Sequence, residues 1–130
     1  MKVTRFHATS DGESRFQEIE IPINDRRPDQ MGHTILQSGA WASPSIRFVE
    51  LPVGLDQTWH HAPARQIVVV LSGVMEVTTS DNQKRRCTPG QAFIADDLTG
   101  KGHLTRVVEG PARVMFVQLP EGFDCERWTA

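Results

Sequence analysis

The sequence predicts an all-β fold, a sandwich or barrel built as one domain from its 130 residues. Three observations point there. Short runs of β-branched and aromatic residues alternate with Gly, Pro, Asn and Asp at turn-like spacing. No window of about 12 residues combines a helical period with end caps. Imidazole and amide groups stand at the ends of two separated strand-like segments, which suits a small β-fold with a polar site inside it.

The elements follow in order. Phe16 to Ile23 carries Ile19, Ile21 and Ile23 at alternate positions, the period of a half-buried strand. Asp25 to Gly32 reads as polar and irregular. Ile46 to Leu51 is β-branched and aromatic and stops at Pro52-Val53-Gly54. Gln66 to Leu71 is almost wholly apolar, as a strand covered on both faces would be. Ser72-Gly73 is expected to break it before a second strand, Val74 to Thr79. Ser80-Asp81-Asn82-Gln83 is a turn, Lys84 to Thr88 the return strand, and Pro89-Gly90 a further turn before Ala92 to Ala95. Asp96 to Gly102 reads as a loop whose Gly100 and Gly102 supply positive φ. Leu104 to Val108 and Ala112 to Leu119 are the last strands, divided at Glu109-Gly110-Pro111. The tail from Glu121 is irregular, with Trp128 placed to cover one end of the core.

Composition narrows the partners. Fourteen basic against 16 acidic side chains give a net charge of −2, so neither nucleic acid nor an anionic membrane is expected. Lys84-Arg85-Arg86 is the one basic run and reads as a solvated face. No stretch approaches the roughly 20 apolar residues of a membrane span. The first ten residues lack the apolar segment of a signal peptide, and two cysteines build no disulfide framework. A cytoplasmic protein is expected. Arg85 and Arg86 would lower the Cys87 thiol pKa, yet no His stands near it in sequence, so a nucleophilic role is not expected.

The chemistry-bearing residues lie in Gly54–Gly73 and in Gly100-Lys101-Gly102-His103. Read from Gly54, the first segment resembles the first motif of the cupin superfamily, G-x5-H-x-H-x3/4-E-x6-G. His60 fills the first His position, Ala62 the second, Gln66 stands for Glu, and Gly73 closes it. The longer spacing instead places Trp59 and His61 at the two His positions, so the sequence leaves open which imidazole faces inward. The second motif, G-x5-P-x-G-x2-H-x3-N, starts well at Gly90 but puts Lys101 where His belongs. Anchored on Gly100 it reaches His103, with Leu98 for Pro and Val107 for Asn, as a two-residue insertion between Asp96 and Gly102 would produce. The Trp-His-x-Ala-Pro-x-Arg-Gln run at 59–66 and the Thr-Gly-Lys-Gly-His run at 99–103 look most like small single-domain cupins without a defined general activity.

The resemblance covers roughly residues 45–119. It implies a cupin-type double-stranded β-helix, or jelly-roll barrel, spanning 1–130, with residues 1–44 and the tail 120–130 packed on that core. It also implies a divalent metal ion (Fe, Mn, Ni or Zn) held inside by His60 or His61 together with Gln66 and His103, with open positions for a small-molecule ligand or substrate. Gln66 is a weaker donor than Glu and does not offset the ion's charge; Asp96 or Asp97 would restore an anion by turning inward. His61 and His103 are the candidate catalytic acid–base pair. Dioxygenation, isomerisation and decarboxylation are the reaction types implied. The alternative is a non-catalytic cupin that binds or senses a small ligand without metal. No Tyr occurs in the chain, so the His/Tyr pair of metal-free sugar epimerases of this fold is not available. Arg65 and Arg106 flank the two motifs and read first as solvated surface, second as partners for a substrate carboxylate. A homodimer is expected through an open edge strand in Phe16 to Ile23.

Overall fold

The computed structural model describes residues 1–128; of the expected tail, Thr129 and Ala130 lie outside the described residues. From the N-terminus, β1 (Lys2–Ala8) and β2 (Ser14–Glu20) form a hairpin, and β3 (Asp25–Pro28) and β4 (Thr34–Gln37) form a second one as a separate two-stranded sheet. Then come β5 (Ile46–Leu51), β6 (Asp56–His60), the long β7 (Gln66–Thr78), β8 (Lys84–Cys87), β9 (Ala92–Asp96) and the longer β10 (His103–Gln118). A single 3-10 turn, Cys125–Trp128, ends the described chain. The chain is all-β, as expected. No helix among the described residues is long and apolar enough to cross a membrane.

β7 and β10 organise the main sheet because each runs through both halves of it. The first half of β7 pairs with β9 and with the second half of β10, which in turn pairs with β5. The second half of β7 pairs with β8 and with the first half of β10, which pairs with β6. The sheet order is β2-β1-β9-β7-β10-β5, with β6 and β8 joined to the other halves of the two long strands. The β1–β9 pairing is parallel, and the others are antiparallel.

These continuous strands correct two expected breaks. Ser72-Gly73 does not end a strand but lets one turn. Gly73 has a φ of +76°, and a Cβ there would stand 2.7 Å from Ala112 Cα and from the Pro111 carbonyl oxygen. Only glycine fits where the bend of β7 presses on the bend of β10. The Glu109–Pro111 interruption likewise sits within β10, as a shift of register against β7. A third correction concerns Asp25 to Gly32, which is not irregular: β3 occupies Asp25–Pro28, and both strands of its hairpin are largely exposed, so they carry no hydrophobic alternation. β1 and β6 lie outside the expected strands altogether.

The pleat sends alternate residues to opposite faces, and two cores result. Phe6, Val68, Phe93 and Ala95 face an inner core with Val70, Met75, Val77, Cys87 and Val114. Val3, Ile19 and Ile94 face outward, where Leu119, Phe123, Cys125 and Trp128 of the tail cover them. Trp128 is 4% exposed and stacks edge-on against Trp41 at 5.1 Å, so it does close one face, as its position suggested. Cys87 is the reverse of the expectation. Its thiol is fully buried, and burial pushes its pKa up to about 11 rather than down.

Candidate functional site

A cavity of about 710 Å³ opens between the two halves of the main sheet. Its lining repeats with period two on nearly every strand: Arg47, Val49 and Leu51 on β5, Gln66 and Val68, then Met75 and Val77 on β7, Phe93 and Ala95 on β9, and His103 and Thr105 on β10. The same pleat that builds the inner core therefore leaves room at one end of it. The floor is apolar, and the rim carries amides and imidazoles.

His60, the last residue of β6, and His103, the first of β10, are cross-strand partners. Their rings lie 4.3 Å apart between centroids and are tilted by 53°. Gly102 makes that closeness possible. At a φ of +78°, a Cβ on residue 102 would stand 2.7 Å from the His60 carbonyl carbon and closer still to its oxygen. On the far side the His103 ring meets Phe6 at 4.6 Å, which fixes its plane.

Hydrogen bonds set the tautomers. His60 Nδ1 lies 2.7 Å from the Thr58 carbonyl oxygen. A carbonyl only accepts, so Nδ1 carries the proton and Nε2 the lone pair. His103 Nδ1 donates to Asp97 Oδ2 at 2.5 Å, and Asp97 is itself fully buried, its other oxygen accepting the Ala62 amide at 3.3 Å. Neither Nε2 has a hydrogen-bond partner among the described residues, although His103 is 5% exposed and no fully buried side-chain nitrogen lacks a partner. The small accessible area of His103 Nε2 therefore belongs to the cavity.

His61 has a different place. It is exposed at the cavity rim, and its Nε2 donates to the Gly100 carbonyl at 2.5 Å, tying the end of β6 to the Asp96–Gly102 loop. The imidazole beside His103 is thus His60. Gln66 lines the same cavity from β7. Of the two candidate anions, Asp97 turns toward His103 but is spent on the ring's Nδ1 and the Ala62 amide. Asp96 turns to the opposite face, where Arg5 and Arg65 grip both its oxygens. Neither carboxylate lines the cavity.

Arg65 is partly buried and Arg106 lies exposed at the surface, as its first reading had it, yet each is engaged by a protein carboxylate. Arg65 Nε reaches Asp96 at 2.6 Å, and Arg106 Nε reaches Glu76 at 2.7 Å. The Arg106 hydrogen bond holds the buried Glu76 carboxyl below its ordinary pKa. Trp59, beside the histidines in sequence, is 45% exposed and is no wall of the interior. Five polar residues of the lining were not singled out from the sequence: Ser45, Arg47, Gln57, Thr105 and Gln118. Arg47 could have been found from the alternation Arg47, Val49, Leu51, which puts it on the face of the two apolar residues that follow.

No family model matches the chain, and no curated protein shows a significant match to it. Among solved structures, one match is the crystal structure of a conserved protein of unknown function from Streptococcus pyogenes. It is 25% identical, with a TM-score of 0.47, over 65% of this chain and 72% of that one.

Proposed function

We propose that the chain is a small cupin-type jelly-roll barrel whose interior binds a small organic molecule at an imidazole pair, His60 and His103. The observation that carries this reading is the pair's tautomeric state: both Nδ1 atoms are tied to protein acceptors, leaving two lone-pair nitrogens at one cavity. Such nitrogens accept a hydrogen bond from a bound hydroxyl or amide, and can take up and return its proton. The role expected of His61 with His103 passes to His60, and His61 holds the rim. The apolar floor suits the body of the ligand, and Gln66 its polar edge. The bent β7 and β10, crossing between the two halves of the sheet, support the jelly-roll assignment, together with the order of the two motif-like segments. An open-edge homodimer belongs to the same proposal, since β2 ends one side of the sheet order.

The divalent ion that the resemblance implies meets an incomplete donor set. His60, His103 and Gln66 offer two imidazoles and an amide, with no negative charge to offset a dication. Among the described residues no three His, Cys, Asp or Glu side chains are grouped to hold a metal. The chemistry proposed is therefore the imidazoles' own. One observation favours the metal as a second reading: the Asp97–His103 hydrogen bond has the form that orients metal-bound imidazoles.

One experiment tests both. Ligand-observed NMR with a library of small organic molecules is run on wild type, His60→Ala and His103→Ala, alongside metal analysis of protein purified without chelator. Hits that bind wild type and weaken in both variants, in metal-free protein, are expected. Hits that bind all three forms equally overturn the imidazole site, and a stoichiometric metal lost in both variants replaces it with the second reading.

A further inference from the structure

We infer that the cavity selects a small carboxylate with an apolar body, and that Arg47 is the residue that reads the carboxylate. This rests on the ligand-binding reading above and names its substrate class. Among the described residues Arg47 is the one formally charged side chain on the cavity wall, and no Asp, Glu or Lys among them lines it. A cavity with a single fixed cation and no acid attracts anions and rejects cations.

Arg47 also differs from the other arginines near the motifs. Arg5, Arg65 and Arg106 are each committed to protein carboxylates. The Arg47 guanidinium has no hydrogen bond or ion pair among the described residues, so its planar fork is available to grip a carboxylate through two parallel bonds. The sheet register supplies a second donor. Arg47 pairs with Phe116 on β10, and Gln118 follows two residues later on the same face, beside Gln66 of β7. Gln118 Oε1 already accepts the Ser45 hydroxyl at 3.0 Å, which leaves its amide N–H groups to donate. Below this polar row lie Phe116, Val68 and Phe93, a surface for an aryl or branched alkyl body. With the carboxylate at Arg47, the rest of the ligand extends toward His60 and His103 on the opposite half of the sheet.

The test uses four probes on the intact protein by calorimetry: 3-phenylpropionate, its neutral amide, 3-phenylpropylamine and 2-phenylethyl phosphate. Each is titrated into wild type and Arg47→Gln. The Arg47 residue is exposed on an edge strand and has no hydrogen bond or ion pair among the described residues, so the variant should melt with wild type. In wild type, 3-phenylpropionate is expected to bind about tenfold or more tighter than the amide, as a charge-assisted pair predicts. In Arg47→Gln that preference disappears while the amide's affinity holds, and the amine binds neither form. Equal binding of acid and amide to wild type, or a preference that survives Arg47→Gln, overturns the carboxylate reading and leaves the ligand cavity standing. Tighter binding of the phosphate overturns it in favour of a phosphate ester. Failure of all four probes overturns the cavity reading as well.

Discussion

Asp96 and Asp97 are neighbours in sequence, both buried, and they do opposite work. Asp96 points to the outer face, where Arg5 donates twice to one oxygen and Arg65 donates to the other. Arg5 goes on to Gln17 and Glu126, and Arg65 to the Phe123 carbonyl. The cluster thus sews the C-terminal tail to β1 and β9, and its polar groups are satisfied from within the protein. Asp97 points to the inner face and orients one imidazole, whose second nitrogen is left bare. Saturated polar groups hold a fold together; a group held rigid with one valence unspent is what a binding site needs.

The largest expected effect comes from breaking the saturated side. Asp96→Ala leaves the Arg5 guanidinium buried without its main partner, with an expected cost of about 3–5 kcal/mol in urea unfolding. The tail should loosen first. The Cys125 thiol, pushed up to about 12 chiefly by burial, should then react with a disulfide reagent much sooner than Cys87, which sits in the inner core. Equal protection of both thiols would show that Asp96 is not what fastens the tail.

Asp97→Asn should cost less, about 1–3 kcal/mol, yet do more at the cavity. An amide that turns its NH2 toward His103 forces Nδ1 to accept, which moves the ring proton to Nε2. Nitrogen-15 NMR of the imidazole reads this directly, and binding of any cavity ligand that donates to Nε2 should fall on the order of tenfold. An unchanged tautomer would mean that Asp97 only fills space.

The smallest effect is a pH dependence on the saturated side. His7, whose β-partner is Asp96, has its pKa lowered below 6.5 by burial and then by the nearby Arg5 charge. Below pH 6.5 the unfolded chain therefore takes up this proton before the folded one does. Stability from His7 is complete above that pH and is lost as pH falls through the lower folded pKa. His7→Gln should flatten the stability profile in that window, above the range where the carboxylates titrate.

Much of this was legible in the sequence where burial leaves a periodic trace. β9 falls close to its expected bounds because apolar residues are buried on both its faces, and β5 because its residues are β-branched and aromatic, although Ile46 and Phe48 are exposed. The histidines announced themselves by spacing, though not which of His60 and His61 stands beside His103; that depends on the pairing of β6 with β10, between segments distant in sequence. Bent strands read as broken ones, since a glycine that kinks and a glycine that terminates have the same local signature. The β3–β4 hairpin is exposed on both faces and so has no pattern to read. Arg47 was passed over because no motif includes it, and its meaning depends on Gln118 and Gln66 arriving beside it from distant strands.

The continuity of β7 and β10 through both halves of the sheet has a mechanical consequence. The halves share two covalent girders, so they cannot part like a clamshell about a flexible seam. In the proposed ligand-binding reading a guest enters past the rim, where residues 61–64 and the His61–Gly100 hydrogen bond stand. On that reading, access is governed at the doorway rather than by movement of the walls.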